Sequence, residues 1–288
     1  MMTGLAGCQT AAQPRAQEQA FPARAWLAAC DGKDGWDDAG PPFHVFGNTY
    51  YVGTCGISAI LVTGEAGHIL IDGGTQAGGP LIAANVERLG FAMADVDILL
   101  FSHEHFDHVG GLAFLQRASG ASVLASPAAA AVLASGTAAP EDPQAATLAP
   151  FAPIETGRTL RDGEIVRLGG LEITAHATPG HSPGAMSWTW RSCEAAQCRQ
   201  IAYLDSLSAV SADTYRFTDH PALVAQFRAS LDKAAALPCD IVLTPHPAAS
   251  GMRDRIAAGD LAAGIDCQAY AAAAAGRLDA RLAQEAAR

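Results

Sequence analysis

The stretch Ser102-His103-Glu104-His105-Phe106-Asp107-His108 constrains this chain more than any other. It follows Val96 to Phe101, an almost continuous apolar run that reads as a strand buried on both faces, and it precedes Gly110-Gly111. Residues two apart in an extended segment project to the same side, so His103 and His105 share one direction. Asp107 and His108 fall at the turn into a helix, whose N-terminal end favours a carboxylate. Three neighbouring side chains cannot all reach one tetrahedral centre without strain, so four potential ligands in six residues can feed two metals. A polar loop with coincidental histidines is the alternative. Three of the nine histidines fall in this one window, which weighs against it.

Two metals need further ligands, and two other loops offer them. Thr178-Pro179-Gly180-His181-Ser182-Pro183-Gly184 holds a histidine in a rigid Pro/Gly turn after a strand. Thr244-Pro245-His246-Pro247 holds another between two prolines, also after a strand. Loops at strand ends are where α/β folds collect functional groups. His44, His68, His176 and His220 lie in strands or before a helix and are read as structural, not as ligands.

Around these loops the pattern alternates between strands and helices. Short β-rich runs at 43–46, 49–52, 58–62 and 68–72 lead to a helix at 80–89 and the strand at 96–101. A helix over 107–118, a strand at 122–125 and an Ala-rich helix to Ser135 follow. Residues 137–154 carry four prolines and no periodicity, a long loop of the kind that borders active sites. Strands at 165–168, 171–176, 185–190 and 201–204, a helix at 221–237, a strand at 241–244 and a final Ala-rich helix complete the chain. Two such halves imply two sheets packed together with helices outside.

The net charge of -11 argues against nucleic acid and against an anionic membrane surface. No apolar run approaches the roughly 20 residues of a spanning helix. Leu5-Ala6-Gly7-Cys8 resembles a bacterial lipobox, and the Ala/Gln/Pro-rich residues after it read as a tether. The expected division is therefore 1–25 as signal remnant and tether, and 26–288 as one folded domain. Seven cysteines are accounted for by lipid on Cys8 and three bridges: Cys30–Cys55, Cys193–Cys198 and Cys239–Cys267. Buried free thiols in a cytosolic protein are the competing expectation. The bridges would place the chain in an oxidising compartment, periplasmic or secreted, with a possible outer-membrane lipid anchor.

His103-x-His105-x-Asp107-His108, then His181, then His246, each after a strand, resembles the metallo-β-lactamase superfamily from about Phe43 onward. Leu70-Ile71-Asp72-Gly73-Gly74 fits the same pattern. Gly180-His181-Ser182-Pro183-Gly184, Tyr203-Leu204-Asp205-Ser206-Leu207-Ser208 and Leu243-Thr244-Pro245-His246-Pro247 are similar to subclass B3, whose dizinc site is all His and Asp. The resemblance implies a four-layer αββα sandwich. It implies that His103, His105 and His181 hold one zinc and that Asp107, His108 and His246 hold the other. Ser206 and Ser208 would contact the substrate carboxylate or its ordered water, and Asp72 would orient a ligand. The implied activity is hydrolysis of the lactam amide of β-lactam antibiotics, carbapenems included, by zinc-bound hydroxide in a monomer, with Asp107 steering the proton. Two readings compete: a glyoxalase-type thioesterase or lactonase, in which Asp205 would bridge the metals, and an iron-dependent oxidoreductase. A scaffold without activity would be expected to lack ligands, and all six are present.

Overall fold

The computed structural model describes residues 21–287. The lipobox and Cys8 lie outside the described residues. The helix Ala23–Ala29 takes in the last three residues assigned to the tether, because Trp26 is wholly buried against Phe43 and Tyr51.

Two sheets form the centre. The first runs in chain order: β1 (Phe43–Phe46), β2 (Thr49–Tyr51), β3 (Ile60–Gly64), β4 (Gly67–Ile71), β5 (Val96–Leu100), β6 (Ser122–Ala125) and β7 (Thr156–Thr159). The second places β8 (Ile165–Leu168), β9 (Leu171–Ala177), β10 (Met186–Glu194), β11 (Gln197–Tyr203) and β12 (Ile241–Leu243) side by side, with β12 and β8 at its edges.

Alternation along the strands decides which residues face where. Ile60, Val62, Ile69 and Ile71 point between the sheets, where they meet Ile173, Trp188, Trp190 and Ile201 of the second sheet. Leu61 and Leu70 point the other way and join Ile82, Val86, Leu112 and Leu115 from the helices Gly78–Arg88 and Leu112–Ser119. Ala202 and Val242 face outward from the second sheet onto Phe227 and Leu231 of Pro221–Ala235 and Tyr270 and Leu278 of Cys267–Ala286. The three clusters make the four layers αββα that the sequence implied.

Several expected elements differ in detail. The strand expected from Ser58 begins at Ile60, because the Ser58 N–H donates instead to Pro245 O at 2.7 Å. The helix expected over 107–118 is two, Phe106–Val109 and Leu112–Ser119, broken at Gly110-Gly111. The break comes from close backbone packing: the Gly111 N–H donates to Gly74 O, and a Cβ on Gly111 would lie 2.2 Å from Gly73 O. Strand β5 exposes Asp97, so it is not buried on both faces. Strand β10 runs on to Glu194 and pairs Cys193 directly opposite Cys198. All three expected disulfides form.

Candidate metal centre

Five strands end together at one edge of the sandwich. β4 and β5 are parallel, as are β11 and β12, while β9 and β11 both run antiparallel to the strand between them. Asp72 follows β4, His103 to His108 follow β5, and His181 follows β9. Asp205 and Ser206 follow β11, and His246 follows β12. Bonds between the sheets lock this edge: Met186 N–H to Ser102 O at 2.7 Å, and Trp188 Nε1–H to Phe101 O at 3.0 Å.

Ligand atoms of His103, His105 and His181 lie within 4.8 Å of one another, and so do those of His103, Asp107 and His108. His246 completes the second group. Asp107 Oδ2 is 3.1 Å from His108 Nε2 and 3.4 Å from His246 Nε2, and the two Nε2 atoms are 3.3 Å apart. All six residues expected as ligands therefore converge on one place.

The remote ring nitrogens of His103, His105 and His181 are hydrogen-bonded to oxygens, and that of His108 faces a carboxylate. His103 Nδ1 is 2.8 Å from Asp205 Oδ1, and His105 Nε2 is 2.8 Å from Asp142 Oδ2. His181 Nδ1 is 3.0 Å from Ser208 O, and His108 Nδ1 is 3.3 Å from Asp72 Oδ2. His246 is hydrogen-bonded to the Gly56 backbone. Such outer partners fix ring orientation and leave the other nitrogen free for a metal.

Asp72 adopts a left-handed backbone, φ 67°, which costs a non-glycine residue roughly 1 kcal/mol or more. Bonds all around hold it there. Its carboxylate accepts from Ser102 N–H (2.6 Å), Ser102 Oγ–H (2.9 Å) and Tyr203 O–H (2.5 Å) while facing His108.

Burial lowers the proton affinity of His103 well below normal, and of His181 and His246 to about 3 and 4; neighbouring imidazoles add to each effect. These three are neutral, the ligand form, at neutral pH. For Asp107 burial acts upward, but the His108 charge and hydrogen bond outweigh it and hold the carboxyl low. Burial likewise opposes the charge on His108, yet Asp107 and Asp72 raise it to about 10. Without metal, the pair is an ion pair whose proton a cation would displace.

A pocket of about 650 Å³ is lined by His103, His105, Asp107, His181 and His246, and also by Trp36, Phe106, Gln144, Ser206, Ser208 and Arg277. Ser206 is almost fully buried and its Oγ has no hydrogen-bond partner among the described residues, while Ser208 Oγ lies 3.0 Å from His181 Nδ1. Leu207 between them is left-handed, φ 42°, in the turn that brings both serines to the wall. A larger hollow, about 870 Å³, lies elsewhere, beside Phe46, Arg199 and Leu261, and contains none of the ligands.

The four histidines not read as ligands lie outside the cluster. His44 Nε2 meets Gly47 O, His68 Nδ1 accepts from Gly64 N–H, His176 bonds Thr189, and His220 stacks on Tyr215. Sequence reasoning missed Asp142, Glu104 and the pocket residues Trp36, Gln144 and Arg277. Asp142 lies in the proline-rich loop expected to border the site, but nothing in its neighbours marks it. Glu104 lies inside the His103–His108 motif. Its carboxylate accepts from Ser182 Oγ–H and Gly184 N–H at 2.8 and 2.7 Å, strapping the two ligand loops together.

A family model described as the metallo-β-lactamase superfamily matches residues 52–196. Among solved structures, the MIM-2 metallo-β-lactamase is 52% identical with a TM-score of 0.86, covering 91% of this chain and 98% of its own. MEM-A1, a subclass B3 metallo-β-lactamase isolated from a soil metagenome library, is 46% identical with a TM-score of 0.84, covering 88% and 99%. The hydroxyacylglutathione hydrolase of Rhodopseudomonas palustris (strain BisB18) is 33% identical over 103 residues, 36% of this chain. The match spans 31% of that relative's length.

Proposed function

The chain belongs to the metallo-β-lactamase superfamily, and from that premise we propose that it is a two-zinc β-lactamase of the subclass B3 kind, hydrolysing the amide of β-lactam antibiotics. The observation that carries the reading is the convergence of five imidazoles and one carboxylate, with His103, His105 and His181 each hydrogen-bonded to an oxygen through the ring nitrogen that points away from the cluster. His103 Nε2, His105 Nδ1 and His181 Nε2 would hold one zinc. Asp107, His108 Nε2 and His246 Nε2 would hold the other. A donor set of imidazole and carboxylate without thiolate suits a catalytic zinc that keeps a position open for water. When bound, zinc supplies acidification of a water molecule and polarisation of a carbonyl oxygen.

The side chains supply the rest. Asp107, held unprotonated beside His108, would help steer the proton of the attacking water. The unpartnered Ser206 Oγ–H and the neighbouring Ser208 are the donors for a substrate carboxylate. Trp36 and Phe106, with ring centroids 5.8 Å apart, form an apolar wall that orients the substrate and excludes water. Three disulfides support a periplasmic or secreted location, and a lipid on Cys8 is part of the same proposal. Mass spectrometry of the membrane fraction should find acyl mass on Cys8, and unmodified Cys8 there refutes the anchor.

Hydrolysis of a carbapenem and a chromogenic cephalosporin, with and without a chelator, tests the activity. Turnover abolished by chelation and restored by zinc supports the proposal. Zinc-loaded protein that leaves both lactams intact but cleaves a thioester or lactone overturns it. Metal analysis separates zinc from iron, since histidine and carboxylate ligands serve both.

A further inference from the structure

Residues 139–149 form one side of the pocket, through Gln144, Thr147, Leu148 and Ala149, yet contain neither helix nor strand. Asp142 sits at their centre and is almost fully buried, as is His105. One carboxylate oxygen, Oδ2, takes the 2.8 Å bond to His105 Nε2. The other, Oδ1, accepts from the Gln144 N–H at 2.7 Å and so folds the turn that follows. The backbone of Asp142 also donates to Ala139 O and accepts from the Ala145 N–H, both at 3.0 Å.

From that turn the wall is built outward. The Thr147 and Leu148 N–H groups donate to Gln144 O, and the Gln144 side chain reaches to 3.5 Å from His181 Nε2. The Ala212 N–H donates to Pro143 O at 2.9 Å, which ties the segment beyond Ser208 to the same turn. Gln144, Thr147, Leu148 and Ala149 all face the pocket.

We propose that Asp142 is a positioning residue that couples metal occupancy to the order of the pocket wall, gripping His105 with one oxygen and the turn at 142–145 with the other. The inference rests on the reading of His105 as a zinc ligand. Its physical basis is twofold. A carboxylate accepting the Nε2–H fixes the His105 tautomer and leaves the Nδ1 lone pair for a metal. A segment with no ladder or helix of its own opens easily, so the bond that closes it controls its order. A cation on His105 makes the ring a stronger donor, and that gain is delivered to Asp142 and the turn. The coupling is reciprocal: ordering the wall raises metal affinity by the same factor.

The test compares wild type, Asp142→Ala and Asp142→Asn by zinc titration against a chromogenic chelator and by amide hydrogen exchange over 139–149. In wild type, zinc slows exchange in this segment. Asp142→Ala should bind zinc roughly 10–100-fold more weakly at one of two sites, and zinc should no longer slow exchange there. Asp142→Asn retains an oxygen for the Gln144 N–H, so the metal-free segment should exchange as in wild type while zinc affinity stays reduced. Wild-type affinity in Asp142→Ala, or wild-type exchange that zinc leaves unchanged, overturns the proposal. Loss of zinc binding in every protein, wild type included, would instead defeat the zinc-site reading, and the coupling with it.

Discussion

The carboxylate of Asp205 stands behind His103, with Oδ1 2.8 Å from Nδ1, and is not among the ligand atoms that converge at the pocket. Its backbone is pinned as well: the Asp205 N–H donates to Ser187 Oγ, and its carbonyl accepts from Tyr270 O–H. The side chain faces one imidazole, whereas the thioesterase reading requires it to bridge two metals.

Replacing Asp205 should therefore weaken metal binding without removing a metal. Asp205→Ala is expected to lower zinc affinity and turnover about 10–100-fold while still taking up two zinc ions per chain. Elemental analysis after titration checks this. A variant that saturates with fewer ions would identify Asp205 as a bridge.

Glu104 is expected to matter for stability as much as any core residue. Its removal leaves Ser182 Oγ–H and the Gly184 N–H buried without an acceptor. Glu104→Ala should cost about 2–4 kcal/mol in urea unfolding of the zinc-free protein. Gly184→Ala should harm the same strap, because a Cβ there would lie 2.6 Å from Ala129 Cβ and 2.8 Å from Glu104 Oε2.

The disulfides should differ in worth according to the loops they close. Cys239–Cys267 and Cys30–Cys55 span 28 and 25 residues, and removing either pair as a double Cys→Ser variant should cost about 3–4 kcal/mol. Cys193–Cys198 spans only 5 residues inside a paired hairpin and should cost about 2 kcal/mol. Denaturant midpoints of the three double variants test the ranking, and an equal loss in all three would contradict it.

Acid should expose the role of Glu285. Burial opposes its charge, but the Thr218 N–H, the Arg281 guanidinium and the Phe217 N–H together hold its carboxyl down at about 2. A carboxyl lowered in the folded state adds stability above its ordinary value of 4.5, and that stability fades as pH falls from there towards 2. The melting temperature of wild type should exceed that of Glu285→Gln above pH 5, and the gap should close by about pH 2. Both proteins are compared in chelator, so that titration of the metal ligands is common to them. A gap that does not narrow with acid would separate Glu285 from the effect.

Much of the site was legible because its ligands lie in short local patterns. His103, His105, Asp107 and His108 share one turn, and Pro and Gly frame His181 and His246. The two-residue period of Ile60-Leu61-Val62 and Ile69-Leu70-Ile71 carries the layer order in the same local way. The split at Gly110-Gly111 was not legible, since it depends on the backbone of Gly73-Gly74 approaching from a different strand end. Strand β7 escaped notice because Thr156–Thr159 is a mostly exposed edge without alternation.

What the chain determines by itself is which residue types stand at strand ends and which face of each strand is apolar, because both depend on neighbours a few positions apart. Tertiary structure alone decides which oxygen anchors each imidazole. Asp142 lies 37 residues from His105, and Asp205 lies 102 residues from His103. Hydrogen bonds act over about 3 Å of space and carry no trace in local sequence. That Asp205 stands behind His103 follows only from the meeting of β5 and β11 at the same edge.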